Sequence, residues 1–353
     1  MGKSREHLED SGYSAPTVCA PTLSVVICNF NHGRYLPRAL DAIFAQSRQP
    51  DEVVIVDDGS TDNSVEVIER YRSSHPTVIF LRNSKNIGLL ATWQRAEDAT
   101  TGDYIYWGAA DDYVLPGFFA NAMRAAVLHP QAGAIAGECV LADPEGNETT
   151  VVRGPGWTHL SYVSPDRFLA EYLRPESSPN ASFASAVVHK RASLHQVGGM
   201  RPELGFYADT FAFRAEGLRF GICYLAERSA LWHAMPGGFA LGSRRDVGKE
   251  LRILTASTNL MRSEEFRADF PSDYVAEWAA SYRSGIIERA TGRVAACAYE
   301  LEISLLPDLP ARPVYERAAT WGLLRVVRLC RALLKGLLVR SLRRDGGDSP
   351  RRS

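Results

Sequence analysis

Residues 23–64 read LSVVICNFNHGRYLPRALDAIFAQSRQPDEVVIVDDGSTDNS. Two runs of this stretch, LSVVICNF and EVVIVDDGS, are rich in the β-branched residues typical of buried strands. The segment between them, YLPRALDAIFAQS, has the apolar spacing of an amphipathic helix. A strand, a helix and a second strand in close succession indicate a βαβ unit, in which the two strands lie parallel.

The alternation of short strands and longer helices continues towards residue 130, through VIFLRNS, IGLLATWQRAEDATTG, YIYWGA and PGFFANAMRAAVLHP. Repeated units of this kind predict an α/β fold with a doubly wound, mostly parallel sheet. Beyond Gly133 the pattern changes to a hairpin that turns at residues 144–146, followed by mixed strands and helices up to residue 235. The remainder of the chain is predicted to be helical.

The composition indicates a globular protein. The chain has 353 residues, 45% of them hydrophobic, and it offers no stretch of about 18 uninterrupted apolar residues that would cross a bilayer. Its six cysteines form no CxxC pair, which favours a reducing compartment over a disulfide framework or a zinc site. The N-terminal residues lack the apolar core of a signal peptide. We therefore expect a cytoplasmic location.

Polar side chains follow each of the first four predicted strands. They are Asn29 and Asn31, Asp57 and Asp58, Asn83 and Asn86, and Asp111 and Asp112. In an open α/β sheet ligands bind beyond the carboxyl ends of the strands, where these side chains would gather. Turns and helix caps also use Asn and Asp, but a cap needs one oxygen, and two of these pairs are double carboxylates. The sequence therefore predicts a ligand site at this edge.

The adjacent carboxylates of Asp111 and Asp112 come directly after an apolar strand. They repel each other and lose hydration there, so the pair is unfavourable unless it faces water or a cation. A solvated turn that caps the next helix is the alternative interpretation. Because Mg²⁺ and Mn²⁺ prefer oxygen ligands and share phosphate oxygens with substrates, carboxylates at two strand ends suit a nucleotide with a metal-bound diphosphate.

Four segments together resemble the inverting family 2 glycosyltransferases, which have a GT-A fold. The stretch at 23–64, with its strand ending in Asp-Asp-Gly-Ser, resembles the opening of that family, and GDYIYWGAADDYVLPGF at 102–118 resembles its metal-binding segment. Residues 185–217 are similar to the acceptor-side segment that carries the catalytic base. LWHAMPGG, at 231–238, matches a later strand end that often has a histidine. The resemblance covers about residues 22–240.

The resemblance implies a role for each candidate site residue. Asp209 would be the general base that takes the proton from the acceptor hydroxyl. Asp112 would coordinate Mn²⁺ or Mg²⁺, and His233 would help to hold the metal or the diphosphate. The residues implied to bind the nucleotide sugar are Asn29, Asn31, Asp57, Asp58, Asn86 and Asp111, with Asp58 at the base and Asp111 at the ribose or sugar. A helix cap and a structural histidine are the alternative interpretations of Asp209 and His233.

Two positions depart from the pattern of the family. Ala109 stands where many relatives have a further Asp, and Ala208 where many have Glu beside the base. The Gln-x-x-Arg-Trp motif of processive relatives is absent, which favours transfer of a single sugar. The resemblance also implies a UDP or dTDP type of donor, a glycan or lipid-linked acceptor, a role in cell-envelope polysaccharide or glycolipid synthesis, and no nucleic acid partner.

Two other functions are compatible with the same type of sheet. Sugar nucleotidyltransferases carry a Gly-rich, basic loop after the first strand, whereas this chain has NFNHGR at 29–34. A non-catalytic nucleotide-sugar-binding protein would not need both Asp112 and Asp209. A metal-dependent, inverting glycosyltransferase is therefore the predicted enzyme.

Basic charge is concentrated at the C-terminal end. From Arg312 onward eleven Lys or Arg residues stand against three acidic ones, in a chain with a net charge of −1. In residues 321–344 arginines recur on one side of a predicted helix and Leu and Val on the other. This pattern predicts peripheral attachment to an anionic surface, the inner face of the plasma membrane. Packing of this helix on the protein core is the alternative.

The predicted organisation has four parts. They are a flexible leader at 1–20, a GT-A glycosyltransferase domain at 21–240, a helical extension at 241–310, and the basic amphipathic helix with its tail at 311–353.

Overall fold

A computed structural model of the chain describes residues 20–173, 183, 185–235, 238–244 and 246–305. The strands are β1 Leu23–Asn29, β2 Glu52–Asp57, β3 Val78–Arg82, β4 Tyr104–Ala109, β5 Tyr113–Val114, β6 Ala134–Ala142, β7 Glu148–Val152, β8 Ser161–Val163, β9 Val187–Lys190 and β10 Ile222–His233. The α-helices are α1 Leu36–Phe44, α2 Ser64–Ser74, α3 Leu89–Asp98, α4 Phe118–Leu128, α5 Pro165–Arg167, α6 Arg191–Gln196, α7 Ala208–Phe220, α8 Phe239–Ser243, α9 Val247–Met261 and α10 Ser272–Leu305. The predicted leader before residue 20 and the basic helix at 321–344 lie outside the described residues.

The strands pair in the order β3-β2-β1-β4-β9-β6-β10-β5, with β7 beside β6 and β8 beside β10. The first four strands pair in parallel, as do β6 and β10. Strand β9 runs antiparallel between β4 and β6 and joins these two parallel groups. The predicted α/β fold with a central, mostly parallel sheet is confirmed.

Helices cover both faces of the central strands, and the strand sequences account for this. In β1, Val25 and Ile27 pack into the core on the side of α1 and α4, whereas Val26 packs into the core on the side of α3 and α7. Successive side chains of a strand point to opposite faces, so a strand covered on both sides is apolar at nearly every position. The run LSVVIC meets this requirement, and its aliphatic residues are fully buried.

The strand registers align the carboxyl ends of the first four strands. Asn29 is paired with Asp57, and Cys28 with Ala109. Asp57 is in turn paired with Arg82, the last residue of β3. The polar residues that follow these strands therefore meet at one edge of the sheet, as the sequence predicts.

Helices α9 and α10 follow the last strand and pack onto the same core as α7. Phe211 of α7, Ile253 of α9 and Trp278 of α10 belong to one buried cluster. The division at residue 240 stays a prediction. Within the described residues no helix is both long enough and apolar enough to span a bilayer.

Candidate functional site

A cleft of about 500 Å³ opens at the edge where β1, β2 and β4 end. Its lining comes from the residues after β1 and β2, the start of α3, the segment before α7 and the end of β10. The predicted site residues that line it are Asn29, Asp58, Asn86, Asp111, Asp112, Asp209 and His233. The cleft thus brings together residues from both halves of the sheet, while Asn31 and Asp57 lie outside its lining.

Asp57 supports the cleft from behind. Its carboxylate is fully buried and accepts hydrogen bonds from Asn29 Nδ2 at 2.9 Å and from the Ser60 backbone N–H at 3.0 Å. The Ser60 hydroxyl accepts a further bond at 2.9 Å from the backbone N–H of Asn31, whose φ is 55°. These bonds hold the loops after β1 and β2 together. Asn29 Oδ1 is buried without a hydrogen-bond partner in the described structure, an unmet acceptor in a residue that lines the cleft.

Asp58 ties the loop after β3 to the cleft. Its Oδ1 accepts from Asn83 Nδ2 at 2.8 Å and from the Ile87 backbone N–H at 2.9 Å, and its Oδ2 accepts from the Gly88 N–H at 2.9 Å. Asn86, which lies in this loop, accepts at 3.0 Å from the same Gly88 N–H. A carboxylate offers about four lone-pair positions, so Asp58 retains acceptor capacity for a ligand.

The glycine of the Asp-Asp-Gly-Ser motif is required by the approach of this loop. Gly59 has a φ of 74°, and a Cβ atom there would lie 2.6 Å from the carbonyl carbon of Lys85. A side chain at this position would therefore be strained and would push the loop away from Asp58.

Asp111 and Asp112 lie opposite the end of β10 because β5 pairs with this strand. The buried Asp112 carboxylate accepts from the backbone N–H of His233 at 2.9 Å and from the Ser185 hydroxyl. The Asp111 carboxylate has 15% of its side chain exposed, and its nearest basic group is His32 Nδ1 at 4.0 Å. The two neighbouring carboxylates thus differ: Asp112 is held by protein donors, and Asp111 faces the cleft more openly.

Burial raises the pKa of the Asp112 carboxyl to about 7, with a further rise from the negative charge of Asp111. The hydrogen bonds from Ser185 and His233 oppose this rise without cancelling it. A group whose charged form is disfavoured by burial and by a like charge is stabilised when a cation binds beside it. The pair therefore has the electrostatic character of a cation site.

The donor set at the end of β10 also fits a hard divalent ion. His233 Nδ1 lies 2.7 Å from the backbone oxygen of Asp111, and a carbonyl oxygen only accepts, so the proton is on Nδ1. The Nε2 atom of the neutral ring then carries the lone pair, the usual arrangement in a histidine that binds a metal. In the described residues, however, no three His, Cys, Asp or Glu side chains are clustered closely enough to hold an ion by themselves. Oxygens of a ligand would have to complete the coordination.

Asp209 also lines the cleft and lies in the first turn of α7. Its Oδ1 accepts from the Thr210 backbone N–H at 2.6 Å, and the N-terminal end of a helix favours a negative charge. Burial nevertheless raises the pKa of this carboxyl, because its loss of hydration outweighs the Thr210 bonds and the charges of His189 and Arg244. A half-buried carboxylate with a raised pKa is a suitable proton acceptor.

The family model described as Glycosyl transferase family 2 matches residues 24–193. Over these residues the chain is similar to the family 2 glycosyltransferases. An uncharacterised glycosyltransferase of Mycoplasma pneumoniae is 26% identical over 234 residues, or 61% of this chain and 68% of that protein. A Nostoc glycosyltransferase, also uncharacterised, is 39% identical over 94 residues, or 27% of this chain and 29% of that protein. The match to the Nostoc relative therefore concerns less than a third of its length.

Two solved structures resemble this chain over most of its length. S. aureus TarS 1–349 in complex with UDP-GlcNAc has a TM-score of 0.58 and 18% identity, covering 74% of this chain and 73% of that one. Mannosyltransferase PcManGT from Pyrobaculum calidifontis, in complex with GDP-Man and Mn²⁺, has a TM-score of 0.52 and 18% identity, covering 90% and 87%. At such identities the likeness concerns the fold, and it confirms the GT-A fold.

Several residues that line the cleft were not assigned to the site from the sequence. Trp93 and Trp107 pack against each other at 5.9 Å between ring centroids and line the cleft. Ser185 and His189 come from the segment around β9, whose pairing with β4 and β6 depends on contacts distant in sequence. Phe30 and Phe239 line the cleft with 41% of their surfaces exposed. Only the folded structure shows that these aromatic residues are exposed at a cleft, and no sequence pattern identifies them as site residues.

Proposed function

We propose that this protein transfers a single sugar from a nucleotide-diphosphate sugar to an acceptor hydroxyl with inversion at the anomeric carbon. The observation that carries the proposal is that Asp209 lines the same cleft as the strand-end carboxylates Asp58, Asp111 and Asp112. Such a cleft can hold a donor at the strand ends and leave an acceptor beside a base. The match of residues 24–193 to the family 2 model supports the reaction class.

The nucleotide is assigned to the wall formed by the loops after β1, β2 and β3. Asn29 supplies an unpartnered acceptor there, and Asp58 and Asn86 line the same wall. A UDP or dTDP donor is favoured by the resemblance, and TarS has been solved with UDP-GlcNAc. The PcManGT complex contains GDP-Man, so the fold by itself does not restrict the base.

Asp112 and His233 would hold Mn²⁺ or Mg²⁺ together with oxygens of the diphosphate. The buried Asp112 carboxylate beside Asp111 and the free Nε2 atom of His233 support this assignment. When bound, such an ion stabilises the negative charge that develops on the departing diphosphate.

The role of Asp209 is to accept a proton. As the acceptor oxygen bonds to the anomeric carbon, the bond from that carbon to the diphosphate oxygen breaks, and the hydroxyl proton passes to the carboxylate. Attack from the side opposite the leaving group inverts the configuration. Asp209 lies on α7 and the strand-end carboxylates follow β2 and β4, so different elements of the cleft supply the two functions.

The purified protein should release a nucleoside diphosphate when it is given the correct donor, an acceptor and Mn²⁺. A panel of nucleotide sugars, with detection of the released diphosphate and of the linkage by NMR, tests this. Release of pyrophosphate from a sugar phosphate and a nucleoside triphosphate would indicate a nucleotidyltransferase. Tight donor binding without turnover on any acceptor would indicate a non-catalytic binding protein.

Replacing Asp58 with Ala should weaken nucleotide binding at least about tenfold, even without metal, because loss of its hydrogen bonds frees the loop at 83–88. Calorimetric titration with the nucleoside diphosphate in EDTA measures this. Asp98→Ala, at an exposed carboxylate outside the cleft, is the matched control and should bind normally. An unchanged affinity in Asp58→Ala would remove Asp58 from the nucleotide site.

The acceptor is proposed to be a glycan or a lipid-linked saccharide of cell-envelope synthesis, presented at a membrane surface. This part rests on the sequence of residues 321–344. Full-length protein should bind vesicles that contain anionic lipid, and substitution of Arg325, Arg328, Arg331 and Lys335 by Gln should reduce sedimentation with them at least about tenfold. Binding that persists in the substituted protein, or that does not fall as salt rises, would contradict attachment through this segment.

A further inference from the structure

A buried histidine–glutamate pair lies at the cleft. His189 of β9 places Nδ1 2.6 Å from Oε2 of Glu216, a residue of α7. Both side chains are almost completely inaccessible to water, with 5% and 0% exposed, yet His189 lines the cleft. Burial raises the pKa of the Glu216 carboxyl, and the charge and hydrogen bond of His189 oppose the rise. Neither residue has a role in the chemistry described above.

The helix geometry relates this pair to Asp209. Asp209 and Glu216 are seven residues apart on α7, which places them on the same face of the helix, about 10 Å apart along its axis. Because His189 binds Glu216 through Nδ1, its Nε2 side is available to the cleft, which Asp209 also lines. Glu216 therefore holds the imidazole of His189, and His189 lines the same cleft as Asp209.

The charges around Asp209 come from two elements. Of the described residues, those whose charges favour its ionised form are His189 on β9 and Arg244 after α8. Glu216 contacts His189, and a carboxylate in contact with an imidazole favours the protonated ring. Arg244 is fixed in charge, so His189 is the adjustable contribution.

We propose that the His189–Glu216 pair is a positioning element for Asp209, in which Glu216 holds the His189 ring and the ring supplies a positive charge to the part of the cleft that Asp209 lines. The pair keeps the Asp209 carboxylate ionised and ready to receive a proton despite its burial. As a statement about catalysis, this rests on the function proposed above. As a statement about electrostatics, it can be tested without turnover.

Carbon NMR of the full chain labelled at aspartate Cγ follows the titration of Asp209, which is assigned by its absence in Asp209→Asn. His189→Gln should move the titration midpoint of Asp209 upward by at least about 0.5 pH unit, because an opposite charge is lost. Glu216→Gln should produce a smaller shift in the same direction. This second variant tests the proposal if His189→Gln does not fold. Unchanged or lowered midpoints in both folded variants would overturn the proposal.

A second His–Glu pair provides the matched control. His195 Nε2 lies 3.2 Å from Glu97 Oε1, with 56% of the histidine exposed and neither residue in the cleft lining. His195→Gln should leave the Asp209 midpoint unchanged, and a shift as large as that of His189→Gln would show that the effect is not specific to the pair.

Kinetics then connects the pair to the reaction. The acid limb of kcat/KM against pH should move upward in His189→Gln by the same amount as the NMR midpoint, with donor KM unchanged. If the NMR midpoint of Asp209 shifts in His189→Gln but the acid limb of kcat/KM does not, the catalytic part of the proposal is overturned. If the wild-type protein transfers no sugar from any donor, the proposed function fails, whereas the NMR titration still decides whether the pair acts on Asp209.

Discussion

Asp209→Asn is expected to lower turnover by about 10²–10⁴ while donor affinity stays nearly unchanged, since this is the usual contribution of a positioned general base. The substitution removes the proton acceptor but keeps the side-chain shape, and the amide oxygen can still accept the bond from the Thr210 N–H. Asp209 lies on α7 and not in the nucleotide loops, so donor affinity should not change. Single-turnover kinetics and donor titration, measured on the same preparation, separate the two effects.

A matched substitution tests whether the loss is specific. Asp166 is an exposed carboxylate in the first turn of α5, so Asp166→Asn changes the same chemical group at a helix start outside the cleft. It should leave turnover unchanged. If Asp209→Asn bound the donor normally and still transferred sugar at the wild-type rate, another residue would have to be the base.

The raised pKa of Asp209 sets the direction of the pH dependence. A base works only when it is ionised, so kcat/KM should fall as the pH decreases through the pKa of Asp209 in the free enzyme. Because burial moves this pKa upward, activity is lost at a higher pH than it would be with an ordinary aspartate. The same burial makes the carboxylate a stronger proton acceptor once it is ionised.

The first half of the sheet is predictable from sequence because its information is local. The aliphatic runs of β1 and β2 identify strands covered on both faces, and the intervening helical pattern makes them parallel. Parallel strands in register bring their carboxyl ends to one edge, so the neighbourhood of Asp58 and Asp111 follows from the order of elements.

The roles of individual side chains at that edge are not local. Asp57 and Asp58 are adjacent, yet one is buried behind the cleft against Asn29 and the other lines it. The choice depends on the partners that neighbouring loops provide. His189 is a stronger case, because it lies on a four-residue strand whose partners, β4 and β6, are distant in sequence. Its carboxylate partner is 27 residues away on α7, and no periodic pattern links the two.

Removal of divalent metal is expected to lower activity at least about 10²-fold, because an ion at a departing diphosphate contributes several kcal/mol to the transition state. EDTA should abolish turnover, and subsequent addition of Mn²⁺ or Mg²⁺ should restore it. Asp112→Asn should lose most of the response to metal, whereas Ser185→Ala, which removes only a donor to that carboxylate, should retain it. Full activity in excess EDTA would contradict a metal-dependent reaction.

Asp112→Asn can also be tested through thermal stability, without an assay of turnover, because the folded protein can accommodate the amide. The His233 N–H can still donate to the amide oxygen, and the Ser185 hydroxyl can change from donor to acceptor towards the amide nitrogen. The pKa of Asp112 is raised to about 7 in the folded chain, so its ionisation opposes folding increasingly as the pH rises from the unfolded-state pKa to that value. Above pH 7, in EDTA, the variant should therefore melt at the same temperature as wild type or higher. Added Mn²⁺ should raise the melting temperature of the wild-type protein alone, since an ion that binds only the folded state stabilises it. An equal Mn²⁺-induced rise in the variant would place the ion away from Asp112.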